Sequence, residues 1–279
     1  MKIPFAKMHG AGNDVIVIDC LHGDPVEDWS AFARHALDRH FGVGGDQLLL
    51  LQRSERADFF MGIRNPDGSV AEMCANGIRA FYKYLRDRGY TKADRVAVDT
   101  LAGVVHPRWL GNDRVEVEMI APRLAPEEVP TTLGSGTGPL VEVPLQVGAR
   151  ELRVTAVSMG NPHCVVFVDE PDQMPVAELG AAIERHPAFP RRTNVEFVAV
   201  RDRRHLEQRT WERGTGETLA CGSGACATAV AGVLSGRSDR DVEIRLRGGA
   251  LQIRWPRDGG PVFMSGPAAH VFDGELSYP

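Results

Sequence analysis

The sequence predicts an α/β protein of the α+β kind, made of two similar domains related by a pseudo-twofold axis. Three observations predict it. The chain has 279 residues, roughly twice the length of one typical domain. Its apolar stretches are mostly short β-branched runs closed by Gly, Pro and Asn turns, and few stretches have helical spacing. The second half also repeats the order of the first. Setting Cys74 against Cys221 brings NDVIVID (Asn13–Asp19) opposite HCVVFVD (His163–Asp169). It also brings Leu37–His40 opposite Ile183–His186, and Asp46–Leu51 opposite Thr193–Val198. Each half runs turn, strand, helix, turn, strand, then a cysteine turn into a helix. A pseudo-twofold arrangement would set the two cysteines facing each other across an interdomain cleft.

The elements follow in order. His9 to Asp14 is a turn with Gly10 and Gly12, feeding the buried strand VIVID. Trp29 to His40 has helical spacing, with Ser30 as a weak cap. The glycine-rich link GVGGDQ leads into LLLLQ, a strand and not a helix. That order excludes dinucleotide and P-loop readings. Asp58 to Arg64 is a strand, and Asn65-Pro66-Asp67-Gly68 a turn. EMCANGIR then opens an amphipathic helix closed by Gly89. Strands are expected within Arg95–Ala121, and a domain boundary near Pro122. The first domain is taken as 1–121 plus 265–279, the second as 122–264.

In the second half, two strands join around Gly148, and GNPHC precedes VVFVD. Val176 to His186 reads as a helix and VEFVAV as a strand. WERGTGETLACGSGACATAVAGVL supplies a small-residue turn and an apolar helix ending at Gly236. Three strands follow, broken by paired glycines.

Composition narrows the function. A net charge of −5 gives no footprint for nucleic acid. No run approaches the ~18 apolar residues of a membrane span, and MKIPFAKMHG has no secretory apolar core. Five cysteines in a long chain point to a reducing cytosol rather than a disulfide framework.

A lone cysteine before a helix is usually an inert core residue. Two of them at matching repeat positions reverse that reading. A helix start offers outward N–H groups and a favourable dipole for an anion. Two opposed thiols suit proton removal from one face of a stereogenic carbon and delivery to the other. The developing charge then flows into the α-carboxylate, held by the two helix starts. His163 or Glu212 would act as neighbouring base. Cys20, Cys164 and Cys226 lack this context and read as core. The spacing of Cys221 and Cys226 has no second pair to support a metal.

KMHGAGND, DQLLLL, NPDGSVAEMCANGIR, GNPHCV, TNVEFV, WERGTGETLACGSGACA and GPAAHVFDG together resemble the diaminopimelate epimerase family over essentially the whole chain. The resemblance implies two domains, each a mostly antiparallel β-sheet or barrel wrapped around a central helix. It implies cofactor-independent conversion of LL- to meso-diaminopimelate for lysine and peptidoglycan synthesis in the bacterial cytoplasm, with no metal. Cys74 and Cys221 match the two-base pair, and His163 and Glu212 the residues supporting proton transfer. Asn13, Gln47, Asn65, Asn161, Asn194 and Arg213 match substrate-contacting positions. Ala75–Asn76 and Gly222–Ser223 match the carboxylate-holding helix starts. Glu212 and Arg213 together would orient a diamino diacid, Arg213 by a bidentate contact. A homodimer is also expected.

Two residues depart from the pattern. Ala75 stands where the family often has glycine, which matters only if φ there is positive. Phe272 stands where it often has a tyrosine near a dimer contact. The nearest rival is a proline or hydroxyproline racemase of the same fold, whose cysteine motif differs from MCANGIR. A two-cysteine redox protein and a non-catalytic amino-acid-binding protein are the others.

Overall fold

The computed structural model describes residues 1–278. The chain divides into two compact units. One comprises Met1–Val117 and the segment from Ser265 onward, the other Glu118–Met264.

In the first unit, β1 (Lys2–Gly10) runs antiparallel to β2 (Asn13–Asp19). Helix α1 (Trp29–Ala36) carries the chain over to β3 (Gln47–Gln52), which is parallel to β2. β4 (Phe59–Arg64) returns antiparallel to β3 and leads to α2 (Ala75–Asp87). Short strands β5 (Val98–Thr100), β6 (Gly103–Val105), β7 (Arg108–Gly111) and β8 (Arg114–Glu118) follow. Ile16, Ile18, Leu48 and Leu50 pack with Trp29, Phe32 and Ala33 of α1 in one core. Val15, Val17, Leu49 and Leu51 are equally buried. Strand alternation turns them to the opposite face, where α2 contacts β1, β2 and β3.

The second unit repeats this plan. β9 (Leu140–Val147) and β10 (Arg150–Ser158) form a hairpin. β11 (Pro162–Phe167) lies antiparallel to β10. Helix α3 (Val176–Glu184) crosses to β12 (Asn194–Asp202), parallel to β11. β13 (His205–Glu212) returns antiparallel and pairs with the short β14 (Gly216–Thr218) before α4 (Gly222–Leu234). β15 (Asp241–Leu246) and β16 (Gly249–Arg254) continue the order as β9-β10-β11-β12-β13-β15-β16. Val166, Val195 and Phe197 face α3 with Leu179 and Ile183. The alternate residues of β11 and β12, including His163, Asn194 and Glu196, turn toward α4, which contacts both strands.

β17 (Phe263–Pro267) and β18 (Ala269–Ser277) bring the chain back to the first unit. β18 pairs antiparallel with β1, so the first sheet reads β18-β1-β2-β3-β4-β5-β6. Neither sheet path closes on itself. The sheet form of the expected architecture holds, and the barrel form does not.

Several elements differ from the sequence reading. α1 ends at Ala36, short of His40, and its cap is Asp28, whose carboxylate accepts from the N–H groups of Ser30 and Ala31. α3 stops at Glu184 and α4 at Leu234. β1, β13 and β18 were not foreseen. β13 hides its period because its inward residues after Leu206 are Gln208 and Thr210, both buried. β18 is an outer strand with mostly exposed residues, ordered by pairing with the far end of the chain.

Candidate active site

Each unit carries one cysteine at the start of a 13-residue helix. In the first, Cys74 is the N-cap of α2, with φ −140° and ψ 111°. Its Sγ accepts the Gly77 N–H at 3.1 Å, as a capping side chain does. Ala75 is the first helical residue and is not among the positive-φ positions. Alanine therefore carries no strain there, and the departure from glycine is harmless to the turn. Arg79 is fully buried and braces the first turn. Its guanidinium donates to Asn76 Oδ1 at 3.0 Å and to the Ala75 carbonyl at 3.2 Å. Gly10 lets α2 pass close over β1, since a Cβ there would lie 2.9 Å from the Asn76 carbonyl oxygen.

Asn13 opens β2. Its amide donates to Asp46 Oδ2 at 2.8 Å, which turns Oδ1 toward Cys74 Sγ at 3.8 Å. Asp46 is held in turn by Arg39 at 2.8 Å, which also grips Asp14 at 2.7 Å. Lys7 reaches Asp14 at 2.5 Å and the Gly44 carbonyl. Burial works against the Asp14 charge, but hydrogen bonds and charge from Arg39 and Lys7 overcome it and lower its pKa to about 2. Asp46 shifts upward, through burial and the neighbouring Asp14 charge. Gln47 donates to Asn65 Oδ1 at 3.2 Å, and Asn65 donates to Ser69 at 3.0 Å. Gln47 Oε1 is buried without a hydrogen-bond partner. A carbonyl oxygen in that condition fits an incoming donor such as an ammonium.

In the second unit, Cys221 caps α4 with φ −120° and ψ 112°. It is 5% exposed, and its Sγ lies 3.5 Å from Ser223 Oγ. Burial, then the charges of Glu212 and Glu196, push its thiol well above the ordinary range, with the Ser223 hydrogen bond opposing. Glu212 ends β13, and its Oε1 accepts the Thr218 hydroxyl at 2.6 Å. Burial raises its carboxyl, against hydrogen bonds from Thr218 and Cys221 and the influence of His163. His163 is fully buried, between Glu196 Oε1 at 2.8 Å and Asn161 Oδ1 at 3.0 Å. Asn161 also donates to Ser223 Oγ at 3.3 Å.

Asn194 and Arg213 differ from simple substrate contacts. The Asn194 amide donates to the Pro162 carbonyl at 2.9 Å and accepts the Arg213 N–H at 2.9 Å. It therefore ties the Glu212–Arg213 turn to β11. Arg213 is exposed, and its guanidinium donates to the Arg191 carbonyl at 3.1 Å. The same turn is pinned by Glu184, which accepts from Trp211 Nε1 at 2.7 Å and the Gly214 N–H at 3.1 Å.

Three carboxylates that organise the surroundings of the two cysteine turns were missed in the sequence: Asp46, Glu184 and Glu196. Glu196 carried a readable signal, because it is a lone charge inside the apolar run VEFVAV. Among the described residues, no group of three or more His, Cys, Asp or Glu is placed to hold a metal ion. No helix of the described residues is long and apolar enough to cross a membrane.

The model of the diaminopimelate epimerase family matches residues 5–125 and 155–271. The chain is 52% identical to the diaminopimelate epimerase of Pelotomaculum thermopropionicum, covering 98% of this chain and 99% of that one. It is 50% identical to that of Desulforudis audaxviator, over 97% and 98%, and 48% identical to that of Moorella thermoacetica, over 98% of each. Among solved structures, a PhzF-family phenazine biosynthesis protein from Bacillus anthracis is similar with a TM-score of 0.71 and 16% identity, over the whole of both chains. A hydroxyproline epimerase from Agrobacterium vitis is similar with a TM-score of 0.70 and 16% identity, over 99% of this chain and 92% of that one. At that identity these two likenesses speak for the fold.

Proposed function

The chain belongs to the diaminopimelate epimerase family, and from that premise we propose that it inverts one α-carbon of LL-2,6-diaminopimelate to give the meso isomer. It is an isomerase. In this reading Cys74 and Cys221 carry the protons on opposite faces of that carbon. One sulfur, as thiolate, takes the α-proton, and the other, as thiol, gives its own, so the product keeps its proton count. The two sulfurs exchange protonation states with each turnover. The charge that develops moves into the α-carboxylate, toward the N–H groups of Ala75–Asn76 and Gly222–Ser223. Glu212 and His163 act beside Cys221 as the groups that restore its protonation. Asn13, Gln47, Asn65, Asn161, Asn194 and Arg213 shape recognition of the distal amino acid, the buried Gln47 Oε1 taking an ammonium.

The observation that carries the reading is the paired cap. The same strand order in each unit delivers a cysteine to the N-cap of a 13-residue helix. No cofactor enters this mechanism. A homodimer belongs to the same proposal, through β18, an outer strand whose Val271 and Phe272 are exposed. Phe272 stacks edge-on against Phe5 at 5.8 Å, so it is held in place without a hydroxyl. We place the reaction in the bacterial cytoplasm.

The test is an assay on LL-diaminopimelate, L-proline and 4-hydroxyproline in deuterium oxide, with reductant and no added cofactor. Diaminopimelate alone should turn over, with deuterium at the inverted carbon. Turnover of proline or hydroxyproline instead would favour the rival racemase. Tight diaminopimelate binding with no exchange would favour a binding protein.

A further inference from the structure

The contacts that reach the Cys221 thiol do not begin at His163. Ser223 Oγ lies 3.5 Å from Cys221 Sγ, Asn161 Nδ2 donates to Ser223, and Asn161 Oδ1 meets His163 Nε2. The other ring nitrogen, Nδ1, faces Glu196 Oε1 at 2.8 Å. Glu196 is fully buried in β12, between Val195 and Phe197, and its Oε2 has no hydrogen-bond partner. A buried carboxylate with an orphan oxygen is costly, and an apolar residue would pack there at lower cost. The helix above is shaped to admit it. A Cβ on Gly224 would lie 2.5 Å from Glu196 Oε1, so α4 crosses the carboxylate only because that residue is glycine.

We infer that Glu196 is a positioning residue of the reaction, holding the His163 ring with Nδ1–H on its carboxylate and Nε2 turned along Asn161 and Ser223 toward Cys221. This rests on the two-thiol reading above. Both ring nitrogens face oxygens that accept, Glu196 Oε1 and the Asn161 amide Oδ1, so a proton on each nitrogen satisfies both contacts. The carboxylate accepts only, so it keeps a proton on Nδ1 and fixes which way the ring points. Without it the ring is free to turn, and the path to the sulfur is broken.

The test is Glu196→Gln, which keeps shape and removes charge. Two readouts are taken on the full chain: kcat and KM for diaminopimelate, and the ¹⁵N resonances of the His163 ring, identified by their loss in His163→Gln. The expected result is a fall in kcat of about 100-fold, little change in KM, and a shift of both ring resonances. Native activity, or unmoved ring resonances whatever the activity, would overturn the inference. If Glu196→Gln does not fold, Glu196→Asp gives the same readouts, since it withdraws the carboxylate by one methylene. If the native chain does not turn over diaminopimelate, the function reading fails. The ring resonances then still decide whether Glu196 sets the ring.

Discussion

Cys74 and Cys221 occupy the same place in two copies of one plan, and their surroundings differ. The Cys74 sulfur takes an N–H from Gly77 and faces the neutral amide of Asn13. The Gly224 N–H favours the Cys221 sulfur in the same way, but Cys221 lies among carboxylates, which with burial outweigh it and hold its proton on. Asn13 and His163 align at equivalent positions of the repeat, yet one is an amide clamped by Asp46 and the other an imidazole clamped by Glu196. The repeat supplies a cysteine-capped helix on each of two similar scaffolds. The substitutions around it make the two sulfurs unequal in their surroundings.

The largest expected effect removes either sulfur. Cys74→Ser and Cys221→Ser should each lower kcat by roughly 10²–10⁴-fold, with unchanged far-UV circular dichroism. Native turnover in either would end the two-base comparison. The next effect separates the environments. Glu212→Gln removes the charge that, after burial, most raises the Cys221 thiol. Alkylation of Cys221 at pH 8, followed by mass spectrometry, should accelerate relative to Cys74, while kcat falls about 100-fold. An unchanged Cys221 rate would show that its burial alone sets its reactivity.

A third effect probes the close crossings of the two helices. Gly10→Ala and Gly224→Ala each place a methyl against fixed atoms, at 2.9 Å from a backbone carbonyl and 2.5 Å from a buried carboxylate. Each should cost about 1–3 kcal/mol in urea unfolding. Loss of activity beyond the loss of stability is expected for Gly224→Ala, which displaces Glu196.

The inequality of the two sulfurs was less legible in the sequence than their existence. The cysteine turns announce themselves locally, because small residues before an apolar helix leave few other structures open. The order of α1, β3, α2 and of α3, β12, α4 was equally visible from periodicity. β1 and β18 were not, because their pairing joins residues near 2–9 with residues near 269–277, and no local pattern carries that. The roles of Asp46 and Glu196 lie one contact behind the named residues, and Asn194, which was named, ties a turn to β11. Side-chain type gives the chemistry of a group, and only the register of β11 on β12 shows that Glu196 ends against His163 and not in solvent.

The smallest expected effect concerns acid. The surroundings of Cys74 depend on charge at one remove, through Lys7, Asp14, Arg39 and Asp46 around Asn13, whereas Glu196 and Glu212 act on the Cys221 thiol directly. Asp14 has its pKa lowered from 3.8 to about 2 in the folded chain. A depressed carboxylate stabilises the fold above its unfolded pKa, and that contribution is lost as pH falls through its folded pKa. From the size of the shift, Asp14 contributes about 2 kcal/mol above pH 4. Asp46 is shifted the other way and reduces the net. Asp14→Asn should therefore lose stability relative to the native chain at pH 5, and the gap should narrow toward pH 2. Urea unfolding at steps between those values measures it. A gap constant with pH would mean that Lys7 and Arg39 hold Asp14 by geometry without favouring its charge, and that the surroundings of Cys74 are no more acid-sensitive than the rest of the first unit.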